Sequence, residues 1–481
     1  MNVTEVQEYV PVIGLEVHAQ LLTKTKIFCS CPSTYGAEPN TLVCPVCLGL
    51  PGALPVLNRE AVSMAILMGL ATNCTIAEES VFARKNYFYP DCPKNYQISM
   101  FDKPLCADGF IEFELDGETK RVRIERIHLE DDAGKLIHEE DGGSLVDFNR
   151  CGVPLIEIVS RPDMHSAEEA GAYLVMLRKI LRYLGICSGN MEEGSLRCDV
   201  NVSVMPAGSS EFGTKTEIKN LNSFKAVEMG IRYEIERQIE VLKNGGKISQ
   251  VTNLWDSGAK KLVTMRSKEY AHDYRYFPEP DLLPLEVDDE WIDGIRTKMV
   301  ELPLERERRF RKEYNLSSYD ASVLCSEKKI ADYYEELASI AGDPKLSANW
   351  MMREVMEELK EQSVSIEQFS LQPERLAGLI RLVKENVVSG SAARDVFKEM
   401  VKSNESAEEV VRRLGLEQIS GEGELEKMID EVIAENPREV ERYREGKIQL
   451  LGFFVGQVMK KSRGKANPKL TGEIIKRKLS G

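Results

Sequence analysis

Three stretches of the sequence alternate apolar residues with acids, histidines, arginines and amides. The alternating polar residues are Glu16, His18 and Gln20 in the first stretch, Arg126, His128 and Glu130 in the second, and Arg197, Asp199, Asn201 and Ser203 in the third. Alternate residues of a β-strand point to the same face. Carboxylates gathered on one face repel each other unless a cation lies between them, and carboxylates with an imidazole suit Mg²⁺ or Mn²⁺. The pattern fits a site for a metal and phosphate, and equally the polar face of a half-exposed antiparallel sheet.

Four of the eleven cysteines form two close pairs, Cys29 with Cys31 and Cys44 with Cys47. Two close pairs joined by a short loop can supply four thiolates in the tetrahedral geometry that Zn²⁺ prefers. We predict a closed, structural Zn²⁺ site, and the alternative is four free thiols. The other cysteines are scattered, and the total is odd, which favours a reducing compartment over a disulfide framework.

Two segments mix basic and aromatic side chains, RKNYFYP at residues 84–90 and DYRYFPEPD at residues 273–281. Guanidinium and ammonium groups beside aromatic rings can hold phosphates and stack a base. The same composition is typical of edge strands with packed aromatic residues. The sequence has no G-x4-G-K-[ST] and no G-x-G-x-x-G motif, so a P-loop or Rossmann enzyme is disfavoured.

The scaffold that would position these groups is predicted to be α+β. Up to about Asp288, period-2 alternation and Gly/Pro turns indicate antiparallel strands. Two helices interrupt them, one after the capping box of Ser166 and Glu169, the other from about Phe224 to Lys243. After a junction from 285 to 304, the apolar residues recur with a period of about 3.6 residues, which is typical of helices. This period predicts helices near 304–315, 327–341, 347–362 and 373–386, and short helices from about 389 onward.

Composition and charge narrow the class of protein. The 481 residues are 42% hydrophobic and 29% charged, as in a globular protein of two or three domains. The net charge is −15, yet residues 441–481 contain 11 Lys and Arg against 3 Asp and Glu. This basic tail suits an anionic partner, or is a solvated helical face. Since no apolar stretch reaches the length of a membrane span and no signal peptide is recognisable, we expect a cytoplasmic protein with no membrane partner.

Nine long runs of the sequence carry a further signal when they are taken together. They are GLEVHAQL (14–21), CPVCLGLPGALPVLN (44–58), FARKNYFYPDCPKNYQIS (82–99), RIHLEDDAGKLIH (126–138), FNRCGVPLIEIVSRPD (148–163), MEEGSLRCDVNVS (191–203), EIKNLNSF (217–224), DYRYFPEPDL (273–282) and GFFVGQVMKKSRGKANPKL (452–470). In this order and over nearly the whole chain, they resemble the family of aspartyl/glutamyl-tRNA(Asn/Gln) amidotransferase B subunits.

The resemblance implies an architecture and a reaction. It implies an antiparallel-sheet cradle similar to glutamine synthetase over residues 1–295, a helical domain over 296–408 and a helical tail domain over 409–481. With ATP and Mg²⁺ (or Mn²⁺), the B subunit would phosphorylate the side-chain carboxylate of Glu-tRNA(Gln) or Asp-tRNA(Asn). Ammonia that the amidase (glutaminase) partner, the A subunit, releases from glutamine would then displace the phosphate. A small third protein, the C subunit, would make the complex a heterotrimer.

The resemblance also assigns residues to this reaction. The positions that match the family's metal ligands are Glu16, His18, Glu130, Asp131 and Asp199, and Lys85 matches its lysine near the nucleotide. The expected catalytic residues are Glu16, His18, Lys85, Glu130 and Asp199. Charge and neighbourhood, rather than the family, select the candidate phosphate contacts Arg84, Arg126, Lys135 and Arg197. The candidate tRNA contacts in the tail are Lys460, Lys461, Arg463, Lys465 and Lys469.

Two other functions stay open from the residues alone. A non-catalytic tRNA-binding module would need only the basic tail, because charge clusters give affinity that is independent of sequence. The acidic strands argue against it, since they oppose phosphate binding unless a metal is bound. A ligase that acts on free glutamate, as glutamine synthetase does, would not need a tail placed for tRNA.

Overall fold

The structure is a computed structural model that describes residues 8–138, 142–267, 274–419, 422–462 and 465–479. The chain forms two compact units, Met1–Glu305 and Arg306–Gly481. All strands of the described residues belong to the first unit, and the second consists of helices and their connections. The predicted mixture of an antiparallel-rich sheet with helices is confirmed at this level.

The first three helices of the first unit lie between strands, whereas the described helices from Asp289 onward follow one another with no strand between them. They are α1 (Arg59–Ala71), α2 (Ala167–Tyr183), α3 (Phe224–Lys243), α4 (Asp289–Arg296), α5 (Pro303–Tyr314), α6 (Ser318–Leu324), α7 (Lys328–Ala341), α8 (Pro344–Trp350), α9 (Met356–Gln362), α10 (Pro373–Lys384), α11 (Gly390–Lys402), α12 (Ala407–Leu414), α13 (Glu422–Glu435), α14 (Pro437–Arg444), α15 (Leu451–Lys461) and α16 (Pro468–Leu479). A π-helical turn, Met351–Val355, joins α8 to α9. Within the described ranges, no helix has the length and apolar character needed to cross a membrane.

The strands form one large sheet and three small ones. They are β1 (Tyr9–Gln20), β2 (Thr75–Ile76), β3 (Glu79–Ser80), β4 (Phe82–Asn86), β5 (Tyr96–Met100), β6 (Cys106–Leu115), β7 (Glu118–Asp131), β8 (Lys135–His138), β9 (Ser144–Asp147), β10 (Pro154–Ser160), β11 (Leu196–Pro206), β12 (Thr216–Leu221), β13 (Val251–Asp256), β14 (Lys261–Ser267), β15 (Phe277–Pro278) and β16 (Leu285–Glu286).

The large sheet has nine strands in the order β14-β13-β12-β11-β1-β10-β7-β6-β2. Its neighbours pair antiparallel except β12 and β13, which run parallel and are connected through α3. The first strand of the chain therefore lies near the middle of the sheet, between β11 and β10. The small sheets are β15-β4-β5, β16-β3 and the hairpin β8-β9.

The structure confirms the two helices that were predicted within the strand-rich region, as α2 and α3. Ser166 precedes α2 and its hydroxyl accepts a hydrogen bond from the Glu169 amide at 3.1 Å. Ser223 caps α3 in the same way, accepting from the Ala226 amide at 3.1 Å. Side chains of this kind stabilise helix starts because the first amides of a helix lack partners within it. α2 begins directly after the predicted cap at Ser166, and α3 has the predicted bounds, Phe224–Lys243.

Three helices were not predicted: α1, α4 and α6. α1 is apolar around most of its circumference and is largely buried, so it lacks the one-sided apolar stripe that signals a surface helix. α4 lies in the segment that was taken as a junction, and α6 has only seven residues. The predicted helix over 347–362 is confirmed as α8, the π-helical turn and α9 in sequence.

One face of the large sheet forms the core of the first unit. Leu15, Val17 and Ala19 of β1 point to this face and belong to the same buried cluster as residues of α1, α2 and α3. The opposite face of β1 carries the intervening polar residues. The strand alternation that the sequence predicted therefore separates a dry face from a polar face.

The second unit contains two separate hydrophobic cores. One is built from residues between Phe310 and Val411, and the other from residues between Leu425 and Leu479. Ile419 forms an isolated bridge with Ala466, and both residues belong to or pack against the second of these cores. The predicted domain boundaries at 295/296 and 408/409 stay predictions.

Candidate functional site

The polar face of the sheet is assembled by strands that are distant in sequence. Glu16 of β1 lies opposite Asp199 of β11. His18 lies opposite Glu157 of β10, and Glu157 lies opposite His128 of β7. Directly opposed residues of antiparallel strands have Cβ atoms about 4.5–5.5 Å apart. The register therefore gathers acids and imidazoles from four neighbouring strands.

The closest polar contacts on this face join His18, Glu130 and Glu157. His18 Nε2 lies 3.6 Å from Glu130 Oε1 and 3.3 Å from Glu157 Oε2. Both glutamates are buried, with 1% and 7% of their surface exposed. One ligand atom from each of the three residues lies within 4.8 Å of the other two. We call this group the histidine–glutamate cluster; its geometry allows all three residues to bind one cation.

Burial and mutual contact change the protonation of this cluster. Burial, with the charge of Glu157, raises the pKa of Glu130 above its ordinary value. Burial would lower the pKa of His18, but its contact with Glu157 outweighs that effect and raises it. The nearby His128, whose Nε2 lies 3.8 Å from Glu157 Oε2, has its pKa lowered by burial to about 4. His128 is therefore neutral near pH 7.

Two buried atoms here lack a hydrogen-bond partner among the described residues: His128 Nδ1 and Glu130 Oε2. Buried polar atoms in native proteins nearly always have a partner. Carboxylate oxygens and neutral imidazole nitrogens are together suitable ligands for Mn²⁺, and the oxygens for Mg²⁺. The donor set thus fits a divalent cation that would also stabilise the charged form of the carboxylates.

A second pair of carboxylates lies beside the cluster, where β1 and β11 pair. Glu16 Oε1 accepts a hydrogen bond of 3.0 Å from Asn201 Nδ2, and Asp199 is contacted by Lys219 Nζ. Lys219 also lies 3.1 Å from Glu217. Like charges directly opposite each other destabilise a sheet, and the Lys219 ammonium offsets that repulsion.

Lys85 of β4 lies within electrostatic reach of the buried glutamates. Burial alone would lower the pKa of its ammonium, but the charges of Glu130, Glu157 and two tyrosines raise it above its ordinary value. Its Nζ lies 5.1 Å from the centroid of the Tyr274 ring, which is a cation–π distance. The predicted nucleotide lysine is therefore held, charged, beside the histidine–glutamate cluster.

Three of the four predicted phosphate contacts lie near this face. Arg126 Nη2 lies 3.7 Å from Glu157 Oε1. Arg197 Nη2 donates a hydrogen bond of 2.9 Å to Asp132. Arg197 and the exposed Lys135 both line a cleft of about 580 Å³. That volume lies within the range of small-molecule sites, which is about 300–1,000 Å³.

Two predicted site residues are engaged elsewhere. Arg84 donates two hydrogen bonds of 2.7 Å to the buried carboxylate of Glu279. Asp131 belongs to the opposite face of β7, where it lies 2.5 Å from Lys94 Nζ and accepts a 2.7 Å hydrogen bond from the Ile98 amide. The structure does not bring Asp131 together with the other predicted metal ligands, because adjacent residues of a strand point in opposite directions.

The four cysteines that form two close pairs in the sequence lie together in the structure, as predicted; we call them the cysteine group. Their sulfur atoms all lie within 4.8 Å of one another, and Cys44 Sγ lies 3.9 Å from Cys47 Sγ. Tetrahedral Zn–S bonds of about 2.3 Å would place the sulfurs roughly 3.8 Å apart. A hydrogen bond from Cys29, aided by the charge of Lys26, lowers the pKa of Cys47 to about 4. The group is thus preformed and contains a stabilised thiolate.

Lys26 is a fully buried cation beside these sulfurs, with 0% of its surface exposed. Its Nζ donates to the carbonyl of Leu42 at 2.8 Å and lies 3.7 Å from Cys47 Sγ. It forms no ion pair with a carboxylate in the part of the chain that the structure describes. An unpaired buried ammonium is costly, whereas Zn²⁺ with four thiolates carries two negative charges. The charge of Lys26 therefore fits a thiolate-bound zinc ion.

The basic tail is partly neutralised by acids that precede it. Lys461 forms ion pairs of 2.6 and 2.8 Å with Glu431 and Glu435 of α13. Lys460 and Lys469 are exposed, Lys465 is half-buried, and Arg463 lies outside the described residues.

The sequence reasoning missed Glu157, and it placed His128 on the polar face without giving it a role. Glu157 is the only charged residue in the apolar run of residues 152–160. A single carboxylate in a strand that is otherwise fully buried requires a partner, and that signal was available. Its partners could not be inferred, because they depend on how β10 pairs with β1 and β7.

Comparison with known proteins gives the same picture over nearly the whole chain. Residues 11–293 match the model of the GatB/GatE catalytic domain, and residues 332–479 match that of the GatB domain. The relatives include proteins named as B subunits of aspartyl/glutamyl-tRNA(Asn/Gln) amidotransferase, from Thermodesulfovibrio yellowstonii, Geotalea uraniireducens and Chlorobium phaeobacteroides. The first is 56% identical over 97% of this chain and 98% of its own length. The others are 55% and 53% identical, each over 98% of this chain and 100% of their own length.

Proposed function

The chain belongs to the family of aspartyl/glutamyl-tRNA(Asn/Gln) amidotransferase B subunits, and from this membership we propose how its polar sheet face performs the reaction. The protein is part of a glutamine-dependent ligase that amidates Glu-tRNA(Gln) or Asp-tRNA(Asn). The proposal is that this chain holds the site where ATP phosphorylates the aminoacyl carboxylate and where ammonia then displaces the phosphate.

The observation that carries the proposal is the buried histidine–glutamate cluster with its two unpartnered polar atoms, beside the 580 Å³ cleft. His18, Glu130 and Glu157 would hold Mg²⁺ (or Mn²⁺), and Glu16 and Asp199 would hold a second ion or orient the first. A bound divalent ion neutralises phosphate charge and polarises the transferring phosphoryl group.

The cations of the chain have distinct tasks in this scheme. Lys85 stabilises negative charge that develops on the phosphoryl oxygens, because it stays protonated beside the glutamates. Arg197 and Lys135 hold the remaining phosphates in the cleft, and Arg126 sets the position of Glu157. The burial of Glu130 and Glu157 keeps bulk water away from their carboxylates, which strengthens their attraction for a cation.

The cysteine group would hold a structural Zn²⁺. The support is the closeness of the four sulfurs and the buried charge of Lys26 beside them. With four protein ligands the ion would have no open position for substrate, so its task would be to hold the chain together.

The wider architecture and the partners follow from family membership as proposals. The antiparallel-rich sheet with a cleft on its polar face supports a cradle similar to that of glutamine synthetase. The tail would contact tRNA through Lys460, Lys465 and Lys469, with Lys461 and Arg463 as further candidates. The amidase (glutaminase) partner and the small third protein of the heterotrimer would complete the complex. The cysteines form no disulfide among the described residues, which supports a reducing, cytoplasmic location.

The test is transfer of the labelled γ-phosphate of ATP to Glu-tRNA(Gln), with ammonium chloride as the nitrogen donor. The co-expressed complex is compared with its Glu157→Gln and Glu16→Gln variants. Glu236→Gln, an exposed glutamate on α3, serves as the control. The wild type and the control should form Gln-tRNA(Gln), whereas the two site variants should form neither intermediate nor product. Equal activity of all four proteins would overturn the proposal, and activity on free glutamate would favour a ligase for the free amino acid.

A further inference from the structure

The loop between the two cysteine pairs, residues 32–43, forms one wall of the cleft and presents an aromatic ring. We call it the intercysteine loop. Its residues 33–37 and Pro39 line the cleft beside Arg197 and Asp199. Tyr35, at its tip, is 68% exposed. An exposed aromatic ring in the wall of a polar cleft is a ready surface for stacking a flat ligand.

This loop is fixed at its base rather than loosely attached. Asn40 donates from Nδ2 to the carbonyl of Val146 at 2.9 Å, and its amide donates to Asp147 Oδ1 at 3.1 Å. Asn149 Nδ2 donates to the carbonyl of Glu38 at 2.7 Å. The cysteine group holds the loop from both ends. A wall that is already ordered loses little entropy when a ligand binds to it.

The neighbouring hairpin β8-β9 adds an apolar surface to the same cleft. Ile137 of β8 lines the cleft and is 41% exposed. Asp147 and Asn149, which hold the intercysteine loop, follow directly along this hairpin and its 3-10 turn. Aromatic and aliphatic side chains on one cleft are the usual lining of a site for a heterocyclic ring.

The polar residues of β1 and β11 are arranged in a fixed order with respect to the Tyr35 ring. Glu16, His18 and Gln20 follow one another on the polar face of β1, about 6.6–6.8 Å apart. The chain then continues towards the intercysteine loop. Arg197 lies opposite His18, and Asp199 lies opposite Glu16. Along these two strands the carboxylates of Glu16 and Asp199 come first, and the guanidinium of Arg197 follows at the level of His18, on the side that leads to the aromatic wall. A nucleotide has the matching order of metal-bound terminal phosphate, inner phosphates and base.

We propose that Tyr35 stacks on an adenine ring and that the intercysteine loop, with Ile137, is the base-binding wall of the cleft. The inference rests on the proposed function, because that reaction brings two adenines to the site. One belongs to ATP, and the other is the 3′-terminal adenosine of the aminoacyl-tRNA. Both would be recognised by the same stacking chemistry, and binding measurements separate them.

The experiment measures dissociation constants for the co-expressed complex without turnover. The variants are Tyr35→Ala, Tyr35→Phe and, as a matched control, Phe212→Ala, an exposed aromatic residue that does not line the cleft. The probes are ATP, inorganic tripolyphosphate, tRNA(Gln), and tRNA(Gln) from which the terminal adenosine has been removed. Tripolyphosphate reports on the phosphate contacts alone.

Tyr35→Ala should raise the dissociation constant of ATP roughly tenfold, as expected for loss of one stacking surface. It should leave the dissociation constant of tripolyphosphate within about twofold of the wild-type value. Tyr35→Phe and Phe212→Ala should bind both as the wild type does. Weaker binding of intact tRNA, but not of shortened tRNA, would assign the stacked adenine to the tRNA terminus. Unchanged binding of both adenine ligands, or equal weakening of ATP and tripolyphosphate, would overturn the inference. Because no chemistry is measured, failure of the phosphoryl-transfer proposal would be seen separately.

Discussion

The first unit contains two groups of side chains that could hold a metal ion, the cysteine group and the histidine–glutamate cluster. They differ in whether their buried polar and charged atoms have partners among the described residues. The cysteine group has four ligands, and the buried ammonium of Lys26 stands beside it as a counter-charge. The histidine–glutamate cluster has three ligands, and buried atoms of His128 and Glu130 lack partners among the described residues. A closed ligand set suits a structural ion, whereas an incomplete set leaves positions for substrate. By this criterion we expect the cysteine group to be structural and the histidine–glutamate cluster to be reactive, because only the latter has buried polar atoms without partners among the described residues.

Glu157→Gln is the strongest test of the reactive side of this comparison. The substitution keeps the shape of the side chain but removes a charge that contacts His18 and faces Arg126. We expect phosphoryl transfer to fall roughly 10²–10³-fold, because a ligand for the metal and its charge are lost together. Single-turnover transfer from labelled ATP measures this. Full activity, with unchanged dependence on Mg²⁺ concentration, would remove the cluster from the mechanism.

Cys47→Ser tests whether the cysteine group holds a structural zinc ion. A serine cannot replace the thiolate, so the variant complex should contain no zinc, whereas the wild type should contain the one ion that we propose, as measured by elemental analysis. The thermal midpoint should fall by roughly 5–10 °C, since a structural ion contributes several kcal/mol to folding. Residual activity measured well below that midpoint should stay within a few-fold of the wild type. Loss of activity in a protein of unchanged thermal midpoint would show that the cysteine group takes part in the chemistry.

Lys26→Met sharpens the idea that Lys26 is the counter-charge of the cysteine group. Methionine fills a similar buried volume without the ammonium that lies 3.7 Å from Cys47. Zinc affinity should fall roughly 10–100-fold, as for other groups that support metal ligands from the second layer. Competition with a chromogenic chelator gives the affinity. Tighter or equal binding in the variant would mean that the sulfurs do not need this charge.

His128→Gln tests the protonation of a histidine that lies beside the histidine–glutamate cluster. Of the four substitutions it has the smallest expected effect. Burial lowers the pKa of His128 to about 4, while an exposed histidine has a pKa of about 6.5. Between these values the unfolded chain binds the extra proton, so stability falls as pH decreases from about 6.5 towards 4. The variant should lose less stability between pH 7 and pH 5, by about 1–2 kcal/mol, in urea unfolding without added metal. An identical loss in both proteins would contradict the shift.

The same two clusters show what could be predicted from the sequence. The four cysteines lie within residues 29–47, so their spacing alone indicated the group that the structure assembles. The starts of α2 and α3 were also readable, because a capping serine acts on amides two or three residues away. Features of this kind depend on local chain geometry, which the sequence encodes within a few residues.

The histidine–glutamate cluster depends on long-range pairing and was only partly predicted. His18 and Glu130 were assigned to one metal site from the family resemblance; the structure places His18 Nε2 3.6 Å from Glu130 Oε1 and 3.3 Å from Glu157 Oε2, and the metal assignment itself stays a prediction. Asp131 was grouped with Glu130 because the two are adjacent in sequence, but β7 directs them to opposite faces. The register of four strands fixes such a site, and no single stretch of sequence contains that register.

The position of β1 has a consequence for synthesis of the protein. β1 ends at Gln20, but its two partners are β10, which begins at Pro154, and β11, which ends at Pro206. At a translation rate of about 5–20 residues per second, β1 waits on the order of 10–40 s for β11 after it has been made. Until β10 has been made both edges of β1 lack their final partners, and the edge facing β11 stays unpaired for the whole interval, a condition that favours aggregation. The histidine–glutamate cluster, whose members lie on β1, β7 and β10, therefore cannot form during translation until β10 has been made, although its first residue is among the earliest parts of the chain.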